Sequence, residues 1–176
     1  MNKFDISKLE KSVREVPDFP KPGIKFKDIT PILINPKLLS MSIEALASHV
    51  DSSSIDKIIG IDARGFIFGS LLANLLGKGF IPVRKEGKLP WQTESQAYDL
   101  EYGKSVIEIH KDAIDPGERI LIVDDLLATG GTAEAAVKLV EKLSGTVDSL
   151  IFFIELEFLN GRKLLKNTKV KSVLKY

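Results

Sequence analysis

Cysteine is absent from the 176 residues, and histidine occurs only as His49 and His110. Without thiols there is no disulfide framework and no thiolate metal site, which fits a reducing compartment. The two histidines show no metal-ligand spacing and are expected to be ordinary surface residues. Charge of one sign is lacking too: 25 Lys and Arg against 24 Asp and Glu leave a net charge of +1. No general attraction to nucleic acid or to a membrane follows, so an anionic ligand must be held by local charges. Long apolar runs are missing. The longest helix-like one, 65–77, is interrupted by Ser70 and Asn74 and is too short to span a bilayer. Residues 1–5 lack the apolar core of a signal peptide, so a cytoplasmic location is expected. Two phosphate motifs are missing as well. Gly60 and Gly65 have the spacing of G-x-x-x-x-G-K-[ST], but Phe66 stands where the lysine belongs, and no G-x-G-x-x-G occurs. A nucleoside-triphosphate hydrolase and a dinucleotide dehydrogenase are therefore disfavoured.

What is present is the composition of an ordinary globular protein, in a length that is most simply one domain, 1–176. Strand-like runs alternate with helical ones, the pattern of an α/β fold around a mainly parallel sheet. Strands are predicted at 57–61, 80–83, 105–110, 119–123, 149–156 and 170–174. The run 105–110 alternates in character and is expected at a sheet edge. Helices are predicted at 65–76 and from Ala133 to Leu143, with helical spacing also at 6–16 and 36–49. Between those last two, Pro17, Pro20, Pro22 and Pro31 forbid a regular helix. The stretch 84–99 has no clear period, and a long irregular segment in a compact domain is usually functional or disordered.

The most informative segment is Ile120-Leu-Ile-Val-Asp-Asp-Leu-Leu-Ala-Thr-Gly-Gly-Thr132. A short apolar run reads as a strand buried on both faces. Asp124 and Asp125 follow where it leaves the core. Ala128, Thr129, Gly130, Gly131 and Thr132 then open an alanine-rich helix. Glycines let backbone N–H groups approach a ligand, threonines add hydroxyl donors, and the helix N-terminus adds partial positive charge, which together suit a phosphate. The carboxylates cannot bind that phosphate and must face sugar hydroxyls, a metal, or both. An anion cradle beside two acids suits a ribose phosphate. Ligands of open parallel sheets gather at the carboxyl ends of strands. Asp62, Ala63, Arg64, Arg84 and Lys85 each follow a predicted strand there, with Lys88 a little further on, and the cations suit a second, more highly charged anion.

Residues 123–132 resemble the ribose-phosphate signature of the type I phosphoribosyltransferases, in the form carried by the adenine phosphoribosyltransferase branch of that family. The wider chain agrees. Residues 18–31 resemble the family's N-terminal base-binding segment and 60–66 its pyrophosphate loop, while 84–90 and 100–104 resemble the two sides of its mobile loop. The resemblance implies a single domain with a small N-terminal helix and hood (about 1–35) and a mobile catalytic loop (about 84–101). It implies purine salvage: adenine attacks the anomeric carbon of 5-phosphoribosyl 1-diphosphate, giving AMP and diphosphate. It also implies Mg²⁺ held mainly by substrate diphosphate and ribose oxygens rather than by protein side chains, and a homodimer without nucleic-acid or membrane partners.

Residue by residue, the resemblance gives Asp62, Ala63, Arg64, Arg84, Lys85, Lys88 and Tyr102 to phosphoribosyl diphosphate, with Asp124 and Asp125 on the ribose. Residues Ala128, Thr129, Gly130, Gly131 and Thr132 fall on the 5′-phosphate. Glu101 becomes the acid–base residue, with Arg64, Asp124 and Asp125 also catalytic. Main-chain groups of Lys25 and Lys27 read the purine edge, Phe26 stacks on one face of the base, and Leu156 packs on the other. The family's non-proline cis peptide would fall at Asp62–Ala63. Departures are few: Ala63 replaces a frequent serine, Trp91 a frequent glycine, and Glu86 adds a negative charge to a basic loop. Transfer to hypoxanthine or xanthine is disfavoured because the base segment precedes the sheet. A non-catalytic, DNA-binding sensor is disfavoured because that same region is balanced in charge and broken by prolines.

Overall fold

In a computed structural model, residues 5–100 and 103–176 are described, and they fall into two units divided between Ser48 and His49. The N-terminal unit holds α1 (Ile6–Ser12), β1 (Arg14–Pro17), β2 (Lys25–Asp28), α2 (Thr30–Leu33) and α3 (Pro36–Ala47). Asp5 caps α1 by accepting from the Lys8 N–H at 3.1 Å, and Asn35 caps α3, with Pro36 pre-set for its first turn. The helical spacing over 6–16 is honoured only as far as Ser12. From Arg14 the chain is extended and pairs antiparallel with β2, Val16 opposite Phe26. The proline-rich connection makes this possible. Asp18 adopts a left-handed conformation and its carboxylate accepts from the Gly23 N–H at 2.7 Å, while Phe19–Pro20 is cis. Glu15 bridges Lys25 at 3.0 Å and Lys27 at 2.9 Å, and Phe19 meets the Phe26 ring edge-on at 5.2 Å.

The C-terminal unit is built on a seven-stranded sheet in the order β5-β6-β4-β3-β7-β8-β9. Its strands are β3 (Lys57–Ile61), β4 (Gly79–Lys85), β5 (Thr93–Leu100), β6 (Gly103–His110), β7 (Arg119–Leu127), β8 (Thr146–Glu155) and β9 (Lys169–Lys175). From β4 through β9 every neighbour is parallel, and β5 and β6 add antiparallel strands at one side. The sheet is mainly parallel, as the alternating pattern predicts.

Helix α4 (Gly65–Leu76) connects β3 to β4, and α5 (Gly131–Lys142) connects β7 to β8. Successive residues of a strand face opposite ways. Accordingly Ile59, Ile61, Ile120 and Ile122 join Ala136, Leu139 and Val140 of α5 in one buried cluster. On the other face Phe68 of α4 stacks on Phe153 of β8 at 5.1 Å.

Three expectations change. The irregular stretch 84–99 is instead the end of β4, a turn at 86–92 and strand β5, which pairs with β6 along its length. Polar residues dominate β5 because it is itself the edge, so the edge position expected for 105–110 belongs to β5, not β6. His110, expected at the surface, is half-buried, and its Nε2 is enclosed without a hydrogen-bond partner.

Candidate active site

Strand β3 stops pairing with β7 at Gly60–Val123, whereas β7 continues to pair with β8 as far as Leu127–Glu155. Asp124 and Asp125 therefore lie within β7, not beyond its end as the sequence suggested. Their strand has lost its neighbour on one side, and the freed edge opens a cavity of about 540 Å³. Asp62, Ala63 and Arg64 reach it from the β3–α4 turn, Arg84 and Lys85 from the end of β4, Lys88 from the following turn, and Thr132 from the start of α5. The expected convergence on one site is present, with the ends of β3 and β4 meeting the acids from within β7.

The two carboxylates differ. Asp125 is buried and is gripped by the Arg64 Nε. Asp124 is half-buried, and its Oδ1 accepts from the Asp125 N–H at 2.8 Å. Burial, then the adjacent Asp125 charge, push the Asp124 carboxyl well above the usual carboxylate range. Oδ1 lies directly over the first residue of α4: a Cβ on Gly65 would stand 2.7 Å from it and 3.0 Å from the Val123 carbonyl oxygen. Glycine at position 65 is thus what lets the acid reach the cavity.

The two arginines of the cavity are pre-paired, Arg64 with Asp125 and Arg84 with Asp62. Arg84 Nε donates to Asp62 at 3.1 Å, its Nη1 donates to the Lys88 carbonyl at 3.1 Å, and its guanidinium lies 6.0 Å from the Phe66 ring centre. The Asp62–Ala63 peptide is cis, at the bond the resemblance indicated. Gly130 has φ +90°, and a Cβ there would collide with the Gly161 carbonyl, so the loop turns into α5 where only glycine fits. Among the described residues no three His, Cys, Asp or Glu side chains are grouped to hold a metal ion, and no helix is long and apolar enough to cross a membrane.

Other expected residues stand elsewhere. Ala128, Thr129 and Gly130 form the loop joining β7 to α5, Gly131 opens α5, and only Thr132 of the segment 128–132 lines the cavity. Leu156 follows the last residue of β8, and its N–H donates to the Leu127 carbonyl at 2.9 Å. Lys25, Phe26 and Lys27 form β2 of the N-terminal unit. Glu101 and Tyr102 lie outside the described residues. Tyr98 is a cavity residue that sequence reasoning missed. It sits on β5, and its Cδ2 would be 3.5 Å from a Cβ on Gly131. Nothing local marks it, because its place depends on β5–β6 pairing.

Residues 28–174 match the phosphoribosyl transferase domain model. An adenine phosphoribosyltransferase of Thermoanaerobacter sp. (strain X514) is 54% identical over 97% of this chain and 99% of its own. The crystal structure of adenine phosphoribosyltransferase from Thermoanaerobacter pseudethanolicus superposes with a TM-score of 0.94 at 54% identity, covering 97% of this chain and 99% of that one. The Saccharomyces cerevisiae enzyme, crystallised with an imino-altritol bisphosphate and adenine, gives a TM-score of 0.92 at 43% identity, over 96% of this chain and 97% of the other. The chain belongs to the phosphoribosyltransferase family and, within it, to the adenine phosphoribosyltransferase branch.

Proposed function

We propose that the chain transfers the 5-phosphoribosyl group from 5-phosphoribosyl 1-diphosphate to adenine, giving AMP and diphosphate in purine salvage. The observation that carries this reading is one cavity lined by Arg64, Arg84 and Lys85, by Asp124 and Asp125, and by Thr132 at the end of the glycine loop. A diphosphate, a ribose diol and a terminal phosphate call for those three kinds of partner. As the bond from the anomeric carbon to the diphosphate oxygen breaks, negative charge gathers on the leaving group and positive charge on the ribose. Arg64 and Lys85 neutralise the first. Asp124 and Asp125 hold the ribose hydroxyls, and their field favours an oxocarbenium-like centre. Ala128, Thr129, Gly130, Gly131 and Thr132 hold the 5′-phosphate and turn remote binding into orientation. The pairing of Arg64 with Asp125 and of Arg84 with Asp62 means that an arriving diphosphate replaces one anionic partner with another.

Glu101, with Tyr102 beside it, is assigned to the purine. N9 attacks the anomeric carbon, the diphosphate leaves with the bonding pair, and the N9 proton passes to Glu101. Phe26 offers a ring face for stacking, worth about 1–3 kcal/mol where such contacts have been measured on nucleic acids. Main-chain groups of Lys25 and Lys27 read the purine edge, and Leu156 supplies an apolar contact. Mg²⁺, held by the substrate rather than by protein side chains, would supply charge neutralisation on the leaving group. The side chains fit that arrangement, since Asp62 and Asp125 are already engaged by Arg84 and Arg64. A cytoplasmic homodimer belongs to the same reading. Incubation with Mg²⁺, phosphoribosyl diphosphate and adenine should yield AMP and diphosphate in equal amounts. Folded protein that binds phosphoribosyl diphosphate yet forms no AMP would overturn it.

A further inference from the structure

Next to the glycine loop lies an ion pair, its carboxylate buried and its guanidinium partly exposed, to which the proposed reaction gives no role. Glu155, the last residue of β8, is only 3% exposed. Arg162 grips it with both arms of its guanidinium, Nε to Oε1 at 2.5 Å and Nη2 to Oε2 at 2.6 Å. The remaining arm donates to the Val170 carbonyl at 2.8 Å, and the Ser172 hydroxyl donates to Oε2 at 2.6 Å. The Arg162 partnership, then the Ser172 hydroxyl, hold the Glu155 carboxyl below the usual range despite its burial.

Arg162 belongs to a short 3₁₀ turn, Gly161–Leu164, that returns the chain against the loop joining β7 to α5. The contact is backbone on backbone. A Cβ on Gly161 would collide with the Ala128 carbonyl and stand 3.1 Å from the Gly130 nitrogen, while a Cβ on Gly130 would collide with the Gly161 carbonyl. With no side chain between them, a displacement of one segment is passed directly to the other. Just before the loop, the Leu156 N–H holds the Leu127 carbonyl. The loop is thus fixed at its start by the residue after Glu155, and at its middle by the residue before Arg162.

We propose that the Glu155–Arg162 pair is a positioning clamp for the 5′-phosphate loop, with Gly161 as the rigid back wall against which Ala128 and Gly130 are set. A fork held on a buried carboxylate has one geometry, which a point charge such as lysine does not reproduce. The inference rests on assigning residues 128–132 to the 5′-phosphate.

The test compares Arg162→Met, Arg162→Lys, Gly161→Ala and, as a control on the cradle itself, Gly131→Val. The readouts are calorimetric binding of ribose 5-phosphate, the KM for phosphoribosyl diphosphate, kcat at saturation, and thermal melting. Arg162→Met should weaken ribose 5-phosphate and raise that KM by about tenfold or more, as a misplaced binding group does. Saturated kcat should stay within about threefold, and Arg162→Lys should fall between the two. Gly161→Ala should raise the same KM with the ion pair intact. Leaving a buried carboxylate without its partner can prevent folding; if Arg162→Met does not fold, Gly161→Ala decides. A KM and ribose 5-phosphate affinity within about twofold of wild type in folded Arg162→Met, or in Gly161→Ala, overturn the clamp. So does a lowered melting temperature with unchanged binding, the signature of a merely structural pair. Wild-type binding by Gly131→Val overturns the cradle assignment and the clamp with it, whereas impaired Gly131→Val beside unimpaired Gly161→Ala overturns the clamp alone.

Discussion

Replacing Gly65 with alanine is the smallest change that reaches the acid pair without touching a functional group. The new Cβ would stand 2.7 Å from the Asp124 Oδ1, against an ordinary contact of at least 3.4 Å. The carboxylate must therefore retreat by about 0.7 Å, since the Val123 carbonyl at 3.0 Å closes the alternative route for the methyl. Misplacement of a catalytic group by about 1 Å can cost ~10²-fold, so a shift of this size should lower kcat/KM for phosphoribosyl diphosphate by roughly 30-fold, about 2 kcal/mol. Stability moves less. Alanine is favoured over glycine in a helix by about 1 kcal/mol, which offsets much of an overpacking cost of about 1–3 kcal/mol. The assay is initial-rate AMP formation at varied phosphoribosyl diphosphate, with melting of the same preparation as control. A Gly65→Ala enzyme within about threefold of wild-type kcat/KM would refute the placement of Asp124 over α4 as functional.

Glu101→Gln should lower kcat by about 10²–10⁴ while leaving calorimetric binding of phosphoribosyl diphosphate nearly unchanged, and a kcat within about threefold of wild type would make Glu101 a bystander. Asp124→Asn should raise the melting temperature of the free protein at neutral pH. A carboxyl whose folded-state pKa is raised destabilises the fold above its ordinary pKa of 3.8, and that penalty fades as pH falls toward this value. Phosphoribosyl diphosphate affinity in the wild type should weaken as pH falls through the raised Asp124 pKa, and Asp124→Asn should bind more weakly without that pH limb. Melting temperatures and calorimetry between about pH 4 and 8 check both, and an Asp124→Asn protein less stable than wild type at neutral pH would contradict the burial argument. Lys25→Ala and Lys27→Ala should keep the choice of base, because the proposed readers are backbone atoms. Phe26→Ala should weaken adenine binding through lost stacking, as equilibrium binding would detect.

The acid pair and its glycine loop were legible because they are local. A buried strand, two carboxylates and a loop of small residues follow one another within thirteen positions. The convergence of Arg64, Arg84 and Lys85 on them was legible because the ends of parallel strands share one edge. Which cation meets which acid was not, since the pairing of Arg64 with Asp125 depends on where β3 stops relative to β7. Tyr98 escaped for the same kind of reason. It reaches the cavity through pairing with Ser105 on β6 and through the approach of β5 to Gly131, both remote in sequence. The β1–β2 pairing was hidden by its prolines, which rule out a helix but do not show that a left-handed Asp18, bonded to the Gly23 N–H, turns the chain back on itself. Glu155 and Arg162 carry no periodic signal, and only the fold shows that they lie next to the glycine loop.

Transfer to adenine rather than to another purine is decided by competition between two bases. Adenine presents an N1 acceptor beside an amino donor, whereas hypoxanthine presents an N1–H donor beside a carbonyl, so fixed main-chain groups suited to one face the other like to like. Buried polar groups left unpaired can discriminate by ~10⁴–10⁵ in kcat/KM. With equal adenine and hypoxanthine and one limiting pool of phosphoribosyl diphosphate, the nucleotide formed should be almost wholly AMP. Inosine monophosphate accumulating at a comparable rate would contradict it.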